Sequence, residues 1–321
     1  MSTADLPLAL LAGWFALNMG SSGLAPAFGA TIGARVIGPR LAALVFGAFV
    51  ILGSLLLGSH VAKTLGAGLA PASMFDRSST LVVLASANAA LLIANLLKMP
   101  QSTSWVTVAA IVALGLHGGG LQSHNLTHRM LPAWVLLPLA AFLVSAVAMR
   151  QLYPLDGRGL ALHSWLRQRK KLMSGLALAS SCYVAFAIGA NNVANVTGPL
   201  AAAGVCSLLV GSLVFAPLFG IGARLMSGPA TTIARDLVPL GVVAATLCNI
   251  VVASLLLVAS HFGLPQSLVH LNAAAVLGVA IVKEGRALMF QGRGTRRMLL
   301  LWVATPALAA ALTLLGLTVI K

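Results

Sequence analysis

Ten apolar runs, most of them close to twenty residues long, follow one another along this chain, at 7–30, 41–59, 80–98, 101–120, 133–150, 173–192, 199–222, 238–260, 266–283 and 299–320. As a helix, about 20 residues match the hydrocarbon thickness of a bilayer, whereas a spanning strand needs about 10 in strict alternation. No such alternation is present. Only 8% of the residues are charged and 59% are hydrophobic, which leaves too little polar surface to cover a soluble globule. The reading is an all-helical, polytopic membrane protein of about ten helical segments.

The formal net charge of +15 invites a nucleic-acid partner. The basic residues stand between the apolar runs, however, where they set orientation, so no nucleic acid is expected. If every run crosses, 16 of the 20 Lys and Arg fall on one face, and only Lys63, Arg77, Arg129 and Lys321 on the other. The positive-inside rule then makes the first face cytoplasmic and puts both termini outside. One long polar connection, 151–171, separates a first repeat at 1–150 from a second at 172–321. Its basic stretch at 167–171 suits orientation and contact with anionic membrane lipids. Cys182, Cys206 and Cys248 lie in or beside apolar runs without paired spacing and read as packing residues. The first run lacks a basic leader, so no cleavable signal peptide is read there.

The two halves resemble each other. GSSGLAPAFG at 20–29 lies over GANNVANVTG at 189–198 without a gap, 169 positions apart, and Pro-Gln-Ser-Thr-Ser at 100–104 answers Pro-Gln-Ser-Leu-Val-His at 265–270. An odd number of crossings per half places the second copy upside down. Inverted repeats with matching polar breaks mark secondary transporters, whose site lies at the repeat interface among interrupted helices or re-entrant hairpins near the midplane.

Asn191, Asn192 and Asn195 share roughly one helix face, and unpartnered amides are costly in lipid. They serve either as glue between helices or as a binding site. The Gly and Pro residues around them, and those at 20–26, are expected to break the helical ladder and to expose backbone N–H groups to an anion. Pro100 and Pro265 suit helix starts, with Gln101, Ser102, Thr103, Gln266 and Ser267 offering donors there, or simply caps. The candidate substrate site is therefore Ser21, Ser22, Gly23, Gln101, Ser102, Thr103, Asn191, Asn192, Asn195, Thr197, Gln266 and Ser267.

GANNVANVTGPL resembles the GANDVAN motif of the PiT family of inorganic phosphate transporters, and Pro-Gln-Ser-Thr-Ser is similar to that family's Pro-x-Ser-Thr-Thr-His break. The resemblance covers both halves. It implies a membrane symporter for a tetrahedral oxyanion. The motif Asp, associated in that family with sodium coupling and phosphate transport, falls on Gly23 and Asn192 here, and Ser22 and Pro26 replace the two Asn of the first copy. This departure resembles the branch that contains bacterial sulfate permeases of the CysP type.

Chemistry points the same way. Phosphate carries protons at neutral pH and benefits from a carboxylate acceptor, whereas sulfate offers acceptors only, so a site of Ser, Asn, Thr and backbone donors suits sulfate. A dianion meets about +0.5 from each of two helix N-termini, which leaves roughly one negative charge to be carried by a co-transported cation. Protons are the expected partner, with His270 as carrier or, alternatively, as a hydrogen-bonded packing residue. Lys63 and Arg224 are read as vestibule cations or as interfacial snorkelling residues. His124 and His128 are four apart, near His117, but have no Cys or carboxylate companion. No resident metal, no cofactor and no enzymatic activity are expected, and a homodimer is held open as the assembly state. The function read from the sequence is import of sulfate by proton symport with alternating access. Phosphate symport and a passive anion channel are the alternatives.

Overall fold

The computed structural model describes residues 5–97, 99, 101–152, 165, 168–225, 241–284 and 293–320, and every regular element among them is helical. Those longer than five residues are, in chain order, α1 (Leu6–Gly33), α2 (Pro39–Ala67), α3 (Arg77–Leu96), α4 (Thr103–His117), α5 (Leu131–Leu152), α6 (Lys170–Asn192), α7 (Ala194–Ala202), α8 (Leu208–Leu225), α9 (Val242–His261), α10 (Leu268–Glu284) and α11 (Arg293–Val319). The helices start where the sequence supplies caps. Pro39 opens α2, Asp76 accepts the Ser79 N–H at 2.7 Å to cap α3, and Ser102 caps α4. Eight rods are long and apolar enough to cross a membrane, with Ser123–Leu152 and Lys170–Ala202 each counted as one; α4 and α10 are shorter.

Two of those eight, α3 and α9, belong to hairpins that return to the face they left. Arg77 at the start of α3 donates to Asp5 at the start of α1, while Asn95 near its end reaches Asn18, well inside α1. After α4 the Gln122 N–H donates to the Leu69 carbonyl just past α2, at the face where α1 began. The α3–α4 pair is thus a re-entrant hairpin entered from this N-terminal face. The second pair mirrors it from the opposite, basic face. Gly241 to Ala244 at the start of α9 and Lys283 at the end of α10 line one cavity with Ala34, Met149 and Lys170. Among the described residues, six rods run from one face to the other, namely α1, α2, α5, α6–α7, α8 and α11, three in each half.

The re-entrant hairpins expected near the midplane are thus these two pairs, and the condition that every run crosses does not hold. The sorting of loop charges survives because a hairpin that returns to its own face leaves the later loops on their sides. Lys98, in the α3–α4 connection, lies outside the described residues.

A second expectation is corrected. The Gly-rich stretches do not break their helices: α1 runs unbroken through Gly20 and Pro26, and only Val193 interrupts the helical run from α6 into α7. The glycines act instead at helix crossings. A Cβ on Gly20 would overlap the Phe219 carbonyl, and one on Gly189 the Val50 carbonyl. Gly222 and Gly53 meet the backbone of Leu17 and Phe186 in the same way. All four pairs of equivalent residues stand 169 positions apart, so the α1–α8 and α2–α6 crossings are copies of one another. Small residues let apolar helices approach closely where no hydrophobic driving force exists between them. The halves also interlock: α5 packs on α10, and α11 on α4.

Candidate functional site

The two hairpins meet tip to tip. Ser104 on α4 donates to the Gln266 carbonyl, just before α10, at 3.1 Å. Ser102 Oγ accepts the Trp105 N–H and Ser267 Oγ the His270 N–H, each at 3.2 Å, so both short helices start with the same serine cap. Two helix N-termini therefore converge inside the protein, each with partial positive charge. Gln101, Ser102, Thr103, Ser104, Gln266 and Ser267 are all buried. Neither the nitrogen nor the oxygen of the Gln101 or Gln266 side-chain amide has a hydrogen-bond partner among the described residues. A buried amide group left so costs about 1–3 kcal/mol, and two in symmetric places mark a spot built for something else.

The asparagines divide into two kinds. Asn191 is saturated: its Nδ2 donates to Ser260 Oγ at 2.9 Å and to the Leu264 carbonyl at 3.0 Å, and its Oδ1 accepts the Gln266 N–H at 3.0 Å. It fixes the tip of the second hairpin. Asn195 Nδ2 donates to Thr103 Oγ1 at 3.3 Å, while neither Asn195 Oδ1 nor Asn192 Oδ1 has a partner among the described residues. Asn191, Asn195, Gln101, Ser102, Thr103, Gln266 and Ser267 are thus brought to the two tips. Ser21, Ser22 and Thr197 instead direct their hydroxyls to carbonyls of their own helices, and the Thr197 methyl packs on Gly211 of α8. Gly23 packs against Phe46 and Ile188.

The residues from 19 to 313 match the model of the phosphate transporter family. The chain belongs to that family. It is 29% identical over 313 residues to "Sulfate permease CysP" of Bacillus subtilis (strain 168), covering 97% of this chain and 86% of that one. It is also 24% identical over 417 residues to "Inorganic phosphate transporter 2-1, chloroplastic" of Arabidopsis thaliana, covering 95% of this chain and 70% of that protein. Among solved structures it is similar to "The sodium-dependent phosphate transporter", with a TM-score of 0.87, 21% identity, and coverage of 100% of this chain and 99% of that one. As a member of the phosphate transporter family this chain is an integral membrane protein, and its named relatives are transporters and permeases.

Sequence reasoning missed three parts of this family member's centre. Ser104 joins the tips, although it reads as an ordinary first-turn residue. Asn18 donates to Asn88 Oδ1 at 2.9 Å and accepts from Asn95 Nδ2 at 2.6 Å, which pins the first hairpin to α1. The seven-residue spacing of Asn88 and Asn95, which keeps them on one face of an apolar helix, was the available signal. The third part is a chain of four rings. Trp134 stacks on Trp105 at 4.7 Å between centroids, Trp105 meets His270 at 4.3 Å, and His270 meets Trp302 at 4.0 Å. Trp105 and His270 hold the same position in their capped turns, so the equivalent residues of the two halves touch at the centre. His270 Nε2 is buried and has no hydrogen-bond partner among the described residues.

The vestibule candidates lie farther out. Lys63 is exposed near the end of α2. Arg224 lines, with Arg40, a groove between α2 and α8 floored by Gly47 and Gly220. The cavity of about 520 Å³ at the feet of the second hairpin carries Lys170 and Lys283 instead. His124 and His128 stack at 4.5 Å on an exposed turn, and no group of three or more metal-ligating side chains occurs among the described residues.

Proposed function

We propose that this chain is a secondary active transporter of the bacterial cytoplasmic membrane that imports inorganic sulfate together with one or more protons. The anion is held between the tips of the two hairpins. The observation that carries this reading is the pair of buried amides of Gln101 and Gln266, without partners among the described residues and set beside two converging helix N-termini. Asp5 and Asp76 sit at the N-terminal face, and Gly23 and Asn192 stand where the resembling family has Asp. Sulfate has four acceptor oxygens and no proton to give, so Gln Nε2 groups, the Ser and Thr hydroxyls and backbone N–H groups satisfy it without a facing acceptor. A carboxylate would repel it.

Charge balance supports proton coupling. Two helix ends supply about one positive charge against two negative ones. A proton on His270, whose backbone N–H is capped at the same tip, brings the missing charge. By this reading Asn191 positions the second tip, and Asn192, Asn195 and Thr103 complete the lining. The arrangement of three crossings and one hairpin per half supports alternating access, with the basic face cytoplasmic and both termini outside.

Uptake of labelled sulfate into proteoliposomes tests this. An imposed inward proton gradient is expected to drive concentrative uptake, and His270→Ala to flatten its pH dependence. Phosphate that competes better than unlabelled sulfate would favour a phosphate symporter. Uptake that only equilibrates would make the protein a channel.

A further inference from the structure

The second hairpin is held at its tip by donors from the first repeat. The last carbonyls of a helix have no partner within it; at the end of α9 the turn's own N–H groups meet those of Val258, Ala259 and Ser260, and the carbonyls of His261, Phe262 and Pro265 are met from outside. His60 Nδ1 lies 2.8 Å from the His261 carbonyl, Arg129 Nη2 donates to the Phe262 carbonyl at 3.0 Å, and Trp134 Nε1 to the Pro265 carbonyl at 2.8 Å. A carbonyl only accepts, so His60 carries its hydrogen on Nδ1. These donors come from α2, from the turn before α5 and from α5. From inside, beside the Ser104 bond that joins the two tips, Asn191 takes the Leu264 carbonyl. Between them Gly263 adopts φ +68, and a Cβ there would lie 2.8 Å from Thr64 Oγ1 and 3.1 Å from the His60 carbonyl. The turn is thus seated directly on the end of α2, in a conformation that suits glycine.

These four contacts differ in kind. The Asn191 bonds to Ser260 and Gln266 are buried and those of Asn191 to Leu264 and of Trp134 to Pro265 part-buried, whereas the His60 and Arg129 bonds are exposed, so water can replace these two at little cost. Arg129 also faces the negative end of the α9 dipole. At the opposite face the feet of the same hairpin border the 520 Å³ cavity with Lys170 and Lys283. The hairpin is therefore fastened toward the N-terminal face and bordered by open space at the basic face.

We infer that His60, Arg129 and Trp134 form a releasable latch that closes the tip site from the N-terminal face, with Asn191 as the fixed hinge-side anchor. The inference rests on the transport reading above. None of the three touches the anion; they are positioning residues, and passage to the N-terminal face requires their bonds to part.

The test reads access and uses the full chain in oriented membrane vesicles, with Cys182, Cys206 and Cys248 replaced by Ser and Gln266→Cys as the reporter. A membrane-impermeant maleimide is applied from either face. Arg129→Ala and Trp134→Phe are each expected to speed labelling from the N-terminal face by about tenfold, while Arg129→Lys, which keeps a donor, leaves it slow. Unchanged rates in both loss-of-donor variants would overturn the latch. So would a rise from both faces together, which reports a loosened protein. No anion is present in this assay, so its failure leaves the sulfate reading standing, and a failure of sulfate uptake leaves the labelling result intact.

Discussion

Gln101 and Asn191 look alike from the sequence, as amides in an oily chain, and the structure gives them different work. Asn191 makes three hydrogen bonds that hold the second hairpin, two of them buried and one part-buried, whereas the Gln101 amide makes none among the described residues. Their alanine variants are therefore expected to fail differently. Gln101→Ala removes a group with no structural partner, so thermal stability in detergent is unchanged or slightly raised while sulfate uptake falls about tenfold or more. Asn191→Ala strips donors and acceptors from Ser260, Leu264 and Gln266, and loses about 1–3 kcal/mol of stability as well as uptake. A melting curve by tryptophan fluorescence beside a transport assay separates the two. Equal loss of stability in both variants would return Gln101 to a packing role.

At the scale of elements, glycine decides which helices can touch. Gly53 and Gly189 let α2 and α6 cross with backbone against backbone, and Gly20 and Gly222 do the same for α1 and α8. Gly53→Leu forces those backbones apart at Phe186, three residues before Gly189. The expected cost is about 3 kcal/mol, seen as a lower melting temperature and a poor yield of monodisperse protein. Gly175→Leu, at a position with open space around it, is the matched control and should be silent. The polar run at 189–199 was legible as unusual, but not as helical on both sides of Val193. Gly and Pro predict a break from local propensity alone, whereas here neighbouring helices close on the glycines and stabilise the continuous helix. The true breaks fall at the Pro-Gln-Ser sequences, where the serine caps leave the N-termini of α4 and α10 facing each other.

For the whole molecule, the six crossings place the start of α1 and the end of α11 at one face. Epitope tags fused to the two ends should both be accessible from the same side of sealed, intact cells, and the positive-inside rule makes that the outside. Tags on opposite sides would require an odd number of crossings and would undo the paired hairpins. Apolar length, loop charge and the internal similarity of the two halves already determined a helical membrane protein built from two copies. Each of these is a property of the chain read locally or against itself, and the bilayer enforces them through burial and through the sidedness of its charges. The resemblance of the Asn-rich run also led to the right family. Tertiary structure alone decided that α3 and α9 turn back, because a 20-residue apolar helix has the same composition whether it crosses or re-enters. It also decided which amides are bonded and which are left without partners. That depends on where Ser260, Leu264 and Thr103 arrive in space, and their separations along the chain carry no mark of it.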